Sequence, residues 1–96
     1  MLTSKERAKL RGLANTIDTI LQVGKSGVGP QLIKQVEDAL TARELIKMRV
    51  LETCPQTPKE IAHALAEATG SDPVQVIGSR FVLYKRNKKN PIIRLD

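Results

Sequence analysis

Ninety-six residues make one domain's worth of chain, enough for one modest core and too little for a second. Composition is 41% hydrophobic and 27% charged, with Phe81 and Tyr84 the sole aromatics, so Leu, Ile and Val must fill the interior. Sixteen basic residues against ten acidic give a formal charge of +6 and a pI near 9.8, which favours a polyanionic partner, either nucleic acid or an acidic membrane surface.

Thr3 and Glu6 are spaced as a capping box, and Leu10, Leu13 and Ala14 follow as a narrow apolar stripe. A first helix is expected over residues 4–14, with Lys5, Arg7, Lys9 and Arg11 on its surface. Residues 17–23 are apolar and rich in β-branched side chains up to Gly24, which predicts a strand. Gly29-Pro30 opens a second helix, on which Leu32, Ile33, Val36 and Leu40 share one face. Residues 44–51 alternate Ile46, Met48 and Val50 with Lys47 and Arg49. That is a strand with one buried face and one positively charged face.

Thr57-Pro58-x-Glu60 is a second capping box, starting a third helix that stops at Gly70. Residues 74–77 and 80–85 are two short strands joined at Gly78-Ser79. A polar turn over 86–91 leads to a last short strand at 92–95. The order is α-β-α-β-α-β-β, with a final β in addition. The expectation is a two-layer α/β fold with a small mixed sheet, forming one domain over residues 1–96.

Charge is unevenly spread along this order. Residues 1–15 hold four basic residues against Glu6, and residues 79–96 hold Arg80, Lys85, Arg86, Lys88, Lys89 and Arg94 against Asp96. Residues 52–72 reverse the balance, with Glu52, Glu60, Glu67 and Asp72 against Lys59. Polarity of this kind suits a face that meets phosphates.

Gly24-Lys25-Ser26-Gly27 falls between strand and helix. Glycines there permit positive φ and close backbone approach, and the following helix start offers amides and a positive dipole end to an anion. Lys25 adds a charge and Ser26 a hydroxyl. The spacing fits neither a P-loop nor a dinucleotide fingerprint; a GxxG loop before a helix is how KH-type domains hold an RNA backbone.

Catalytic constellations are missing from the pattern. His63 stands alone on the third helix, Cys54 has no visible partner, and Asp18, Glu44, Glu52 and Asp72 are scattered. Glu37 and Asp38 are adjacent on a helix and point apart. A lone cysteine also excludes an intrachain disulfide. The reading is a non-enzymatic protein with no cofactor, no metal and no small-molecule substrate. No apolar run approaches the roughly 18–20 residues of a membrane span, and the expected location is cytoplasmic.

Several segments together resemble the stand-alone YhbY-type members of the CRM (chloroplast RNA splicing and ribosome maturation) family. They are Leu2-Thr3-Ser4-Lys5-Glu6-Arg7 with Leu10-Arg11-Gly12-Leu13-Ala14, Val23 through Gly27, Glu44 through Val50, and Gln75-Val76-Ile77-Gly78 with Val82-Leu83-Tyr84-Lys85-Arg86. The resemblance implies a fold similar to the C-terminal domain of bacterial initiation factor three, with a KH-like GxxG loop. It also implies RNA binding and association with precursors of the large ribosomal subunit. Two departures stand out: Asn15-Thr16 where the family often has His-Pro-like residues, and Leu95-Asp96 where it often ends Leu-Pro.

The expected RNA-binding set is Gly24, Lys25, Ser26 and Gly27, with Lys47, Arg49, Arg80, Lys85, Arg86, Lys88 and Lys89, and with Lys5, Lys9 and Arg11 on the first helix. RNA would be held by shape and charge, with low sequence specificity, by a monomer. Two alternatives are a ribosomal protein-interaction module working through Glu60 and Glu67 of the acidic third helix, and non-specific DNA binding.

Overall fold

The computed structural model describes residues 2–95. Asp96, the second residue of the divergent chain end, lies outside them. Three helices and four strands follow in order: α1 (Ser4–Ala14), β1 (Thr19–Val23), α2 (Pro30–Arg43), β2 (Leu45–Val50), α3 (Pro58–Thr69), β3 (Asp72–Ile77) and β4 (Arg80–Tyr84). The sheet order is β1-β2-β4-β3. β1 and β2 are parallel, as the α2 crossover requires, and the two remaining pairs are antiparallel. The small mixed sheet and the element order agree with the sequence.

Both expected capping boxes form. The Thr3 hydroxyl accepts the Glu6 amide at 3.1 Å and Glu6 returns a bond to the Thr3 amide at 2.9 Å. Thr57 and Glu60 repeat the exchange at 3.2 and 3.0 Å. Gly70 closes α3 in the left-handed region, with φ of 71°. Gly78, φ 58°, leads the two-residue β3–β4 turn, where hairpins of this kind place glycine.

Strand alternation divides the core in two. Ile46, Met48, Val50, Phe81 and Leu83 face α2 and α3, meeting Val36, Leu40, Ile61, Ala62 and Leu65. Leu45, Val82, Tyr84 and Val74 face the other way and are covered by Leu10 and Ala14 of α1. The two expected layers are therefore α2/α3 and the sheet, with α1 as a short additional layer behind. Arg7 ties that layer down, donating from Nη1 to the carbonyls of Pro73 at 2.5 Å and Val74 at 3.3 Å.

Several boundaries differ from the sequence reading; β3, for one, starts at Asp72 rather than at residue 74. Residues 17–18 unwind from α1 rather than joining β1: the Thr16 and Ile17 amides still bond to Leu13 and Ala14, and Ile17 packs on the α1-side core. Glu44 ends α2 instead of starting β2, with its amide on the Leu40 carbonyl at 2.8 Å and φ of 65°. Residues 92–95 form no strand. Their amides at Ile92 and Ile93 bond to the buried Glu44 carboxylate at 2.8 and 2.6 Å, and the Asn87 amide adds a third bond at 2.6 Å. A side chain thus satisfies the backbone that a sheet edge was expected to satisfy.

Candidate nucleic-acid interface

The loop after β1 is a tight turn. The Gly27 amide donates to the Gly24 carbonyl at 3.0 Å, leaving Lys25 and Ser26 exposed at the tip. Gly27 has φ of 63°, and a Cβ there would stand 3.0 Å from the Gln56 Oε1. Gly24 lacks this constraint: a Cβ would meet Leu51 and Thr53 at ordinary contact distance. α2 then starts at Pro30 behind Gly29, which provides no side-chain cap, unlike Thr3 and Thr57 on the other helices. A shallow groove runs along this corner past Gln22, Ser26, Gly27, Gln31 and Gln35. Exposed lysine, hydroxyl and uncapped helix start therefore share one corner, where an anionic backbone would find both charge and donors.

The same end of the sheet gathers three more cations. Register places Arg49 of β2 opposite Arg80 of β4, and Gln22 of β1 opposite Arg49 on the other side. One row away, Lys47 sits opposite Val82 and Val82 opposite Gln75. These residues lie on the α1 side of the sheet, but α1 stops at Ala14 and leaves this half uncovered. Arg49 and Arg80 are exposed and Lys47 is half-buried. Like charges directly opposite on neighbouring strands repel. Among the described residues the ion pair found is Lys34 with Asp38, on α2, so no carboxylate neutralises the sheet cations.

The C-terminal cations fall elsewhere. β4 is five residues long and puts about 17 Å between Arg80 at its start and Lys85 just past its end. Lys85 is also engaged: its Nζ donates to the Thr69 carbonyl at 2.7 Å, closing the end of α3. Arg86 lies where its charge acts on Glu6 and Glu44. Lys88 and Lys89 are exposed in a turn organised by Asn87, whose Oδ1 accepts the amides of Lys89 and Asn90 at 3.1 and 3.2 Å. The loop and the C-terminal cluster are thus two basic poles. α1 spans between them, from Glu6 beside Tyr84 and Arg86 to Asn15 beside Lys47 and Arg80. Its exposed Lys5, Lys9 and Arg11 line the path.

Other singled-out residues resolve plainly. Tyr84 is buried in the α1-side core with its hydroxyl unpartnered, so it offers no exposed ring. Burial, with the Glu44 charge adding to it, raises its pKa above the ordinary tyrosine value. His63 is exposed on α3, and the half-buried Cys54 thiol faces the Gln56 Oε1 at 3.7 Å. Glu60 is exposed and accepts the Thr57 amide through one carboxylate oxygen in the α3 capping box. Among the described residues no helix is long and apolar enough to cross a membrane, and no His, Cys, Asp and Glu cluster suits a metal ion.

Sequence reasoning missed the structural duty of Arg7 and the roles of Gln22, Gln75 and Glu44. A signal existed for Arg7, which shares the i, i+3, i+7 stripe with Leu10 and Ala14 and so had to face the sheet. None existed for the others, because their neighbours come from distant strands.

Comparison with known proteins places this geometry in a family. The family model described as the CRS1 / YhbY (CRM) domain matches residues 2–85. A Bacillus subtilis (strain 168) chain named "Probable RNA-binding protein YqeI" is 46% identical over 95 residues, covering 99% of each chain. A Haemophilus influenzae chain named "RNA-binding protein" is 31% identical over 91 residues, covering 95% of this chain and 92% of its own. The solution structure of the hypothetical protein SAV1595 from Staphylococcus aureus superposes with a TM-score of 0.83 at 49% identity, covering all of both chains.

Proposed function

Since the chain belongs to the CRS1/YhbY (CRM) domain family, we propose that it is an RNA-binding protein, without catalytic activity, that holds RNA at the loop end of its sheet. The turn Gly24-Lys25-Ser26-Gly27 and the start of α2 take one stretch of backbone. Lys47, Arg49 and Arg80 take the adjoining phosphates. The observation that carries this reading is the Arg49–Arg80 pair, placed opposite each other with no carboxylate among the described residues to neutralise them. Such an arrangement costs stability in the free protein and is relieved by a polyanion. The RNA-binding names of the relatives agree with it.

The RNA concerned is ribosomal, on precursors of the large subunit, as the family resemblance implies. Binding by charge makes affinity fall with salt, with a log–log slope of about −0.7 to −0.9 per phosphate contacted. Replacing Arg49 and Arg80 with alanine is expected to weaken binding and flatten that slope by roughly 1.4 to 1.8. An affinity insensitive to salt, or unchanged in this variant, removes the sheet from the site. Competition between RNA and DNA of equal length separates RNA binding from a general affinity for polyanions.

A further inference from the structure

The end of α1 leaves a step between helix and bare sheet, and that step is a small pocket. Asn15, just past the end of α1, closes one side. Lys47, Val82 and Gln75 cross it in a single row over β2, β4 and β3, and Ile77 and Arg80 complete the rim from the next row. Its volume is about 160 Å³, well below the roughly 300–1,000 Å³ of pockets that enclose a whole drug-sized ligand. One ring-sized group fits it.

The lining has two characters. Val82 gives an apolar floor, and Ile77, 62% exposed, stands beside cations with no apolar cover of its own. Asn15 and Gln75 each carry a carboxamide, which offers a donor and an acceptor side by side. A flat heterocycle with a hydrogen-bonding edge meets both demands. Ile77 and the Arg80 guanidinium plane would contact its face, and the carboxamides its edge.

Resting on the RNA-binding reading above, we propose that this pocket receives one unpaired RNA base, with adenine preferred. A carboxamide pairs bidentately with the donor–acceptor edge of adenine. Lys47 and Arg80, which line the pocket, and Arg49 beyond it hold the flanking phosphates. A base within an A-form duplex cannot enter, since its edge is paired and its face stacked. The RNA therefore presents a loop, bulge or end here. Recognition at this one position goes beyond the shape-and-charge binding expected of the rest of the surface.

The test compares three ligands of equal length: oligoadenylate, oligouridylate and a base-free ribose-phosphate chain. Each is titrated against the wild type and against the Asn15→Ala, Gln75→Ala double variant. Oligoadenylate is expected to bind roughly tenfold more tightly than the base-free chain, with oligouridylate between them. The double variant should lose that ratio while keeping its affinity for the base-free chain and its salt slope. Equal binding of oligoadenylate and the base-free chain, or a ratio that survives in the variant, overturns the pocket and leaves the charge-based reading standing. Binding of none of the three overturns both. Circular dichroism of the variant, together with its retained affinity for the base-free chain, reports that it is folded.

Discussion

At Glu44 three constraints meet on one residue: φ is 65°, the side chain is fully buried, and its carboxylate receives the amides of Asn87, Ile92 and Ile93. A positive φ is costly for a residue with a Cβ and persists only where the surroundings demand it. Burial opposes ionisation of this carboxyl. The three amides and the nearby Arg86 outweigh burial and hold its pKa below the ordinary glutamate value. The folded pKa is therefore the lower one, so its contribution to stability is present above the unfolded value of about 4.3 and is lost as pH falls through the folded value. Thermal unfolding followed from neutral pH into acid should show that loss in the wild type. Glu44→Gln should lower stability by about 2 kcal/mol at neutral pH, since an amide group then opposes the Asn87 amide. The variant should also flatten the acid dependence; a profile parallel to wild type would show that Glu44 does not carry it. The glycines of the loop divide in the same way. Gly27→Ala is expected to cost about 1 kcal/mol because of its positive φ, and Gly24→Ala much less. Denaturant unfolding of the two variants checks this.

Among the elements, the three helices are held by different means. α1 and α3 carry capping boxes, in which Glu6 and Glu60 accept the amides of Thr3 and Thr57. Those bonds hold both pKa values below the ordinary value. These were legible because the partners are three residues apart. The stop of α3 at Gly70 was legible too, but the side chain that caps that end was not. Lys85 belongs by sequence to a basic cluster, but in the fold it caps the Thr69 carbonyl. Lys85→Met keeps the aliphatic stem and removes the ammonium. It should lower stability by about 1 kcal/mol and leave the salt slope of RNA binding almost unchanged. A slope reduced as in a phosphate contact would return Lys85 to the interface. The strand expected at 92–95 failed for a related reason: apolar alternation marks a segment that packs, and Ile93 and Leu95 do pack. Pairing with a strand edge is a separate matter, settled here by the Glu44 carboxylate.

Over the whole molecule, 39 × 25 × 22 Å in extent, the two basic poles are separate surface regions joined by the exposed side of α1, and the proposed binding makes them separate contacts. An RNA short enough to cover only the loop end should lose affinity in Arg49→Ala, Arg80→Ala and ignore Lys88→Ala, Lys89→Ala. A longer structured RNA should respond to both pairs, each lowering its salt slope by roughly 1.4 to 1.8. If the short RNA responds equally to both pairs, the poles act as one site and the separation along β4 has no functional meaning.

The chain's own order of residues determined the net charge, the helices and their starts, the turn at Gly24-Lys25-Ser26-Gly27, and the alternation that puts Lys47 and Arg49 on one face of β2. All of these rest on interactions within a few residues, or on periodicities of two and 3.6 that a reader can follow along the sequence. Only the tertiary structure decided which cations lie together. β4 enters the sheet between β2 and β3, which sets Arg80 against Arg49 and carries Lys85 to the far end. It also brings Gln75 and Asn15 to the sides of one pocket. Strand order depends on how two cores close at once on opposite faces of the sheet, and that balance of packing leaves no local trace.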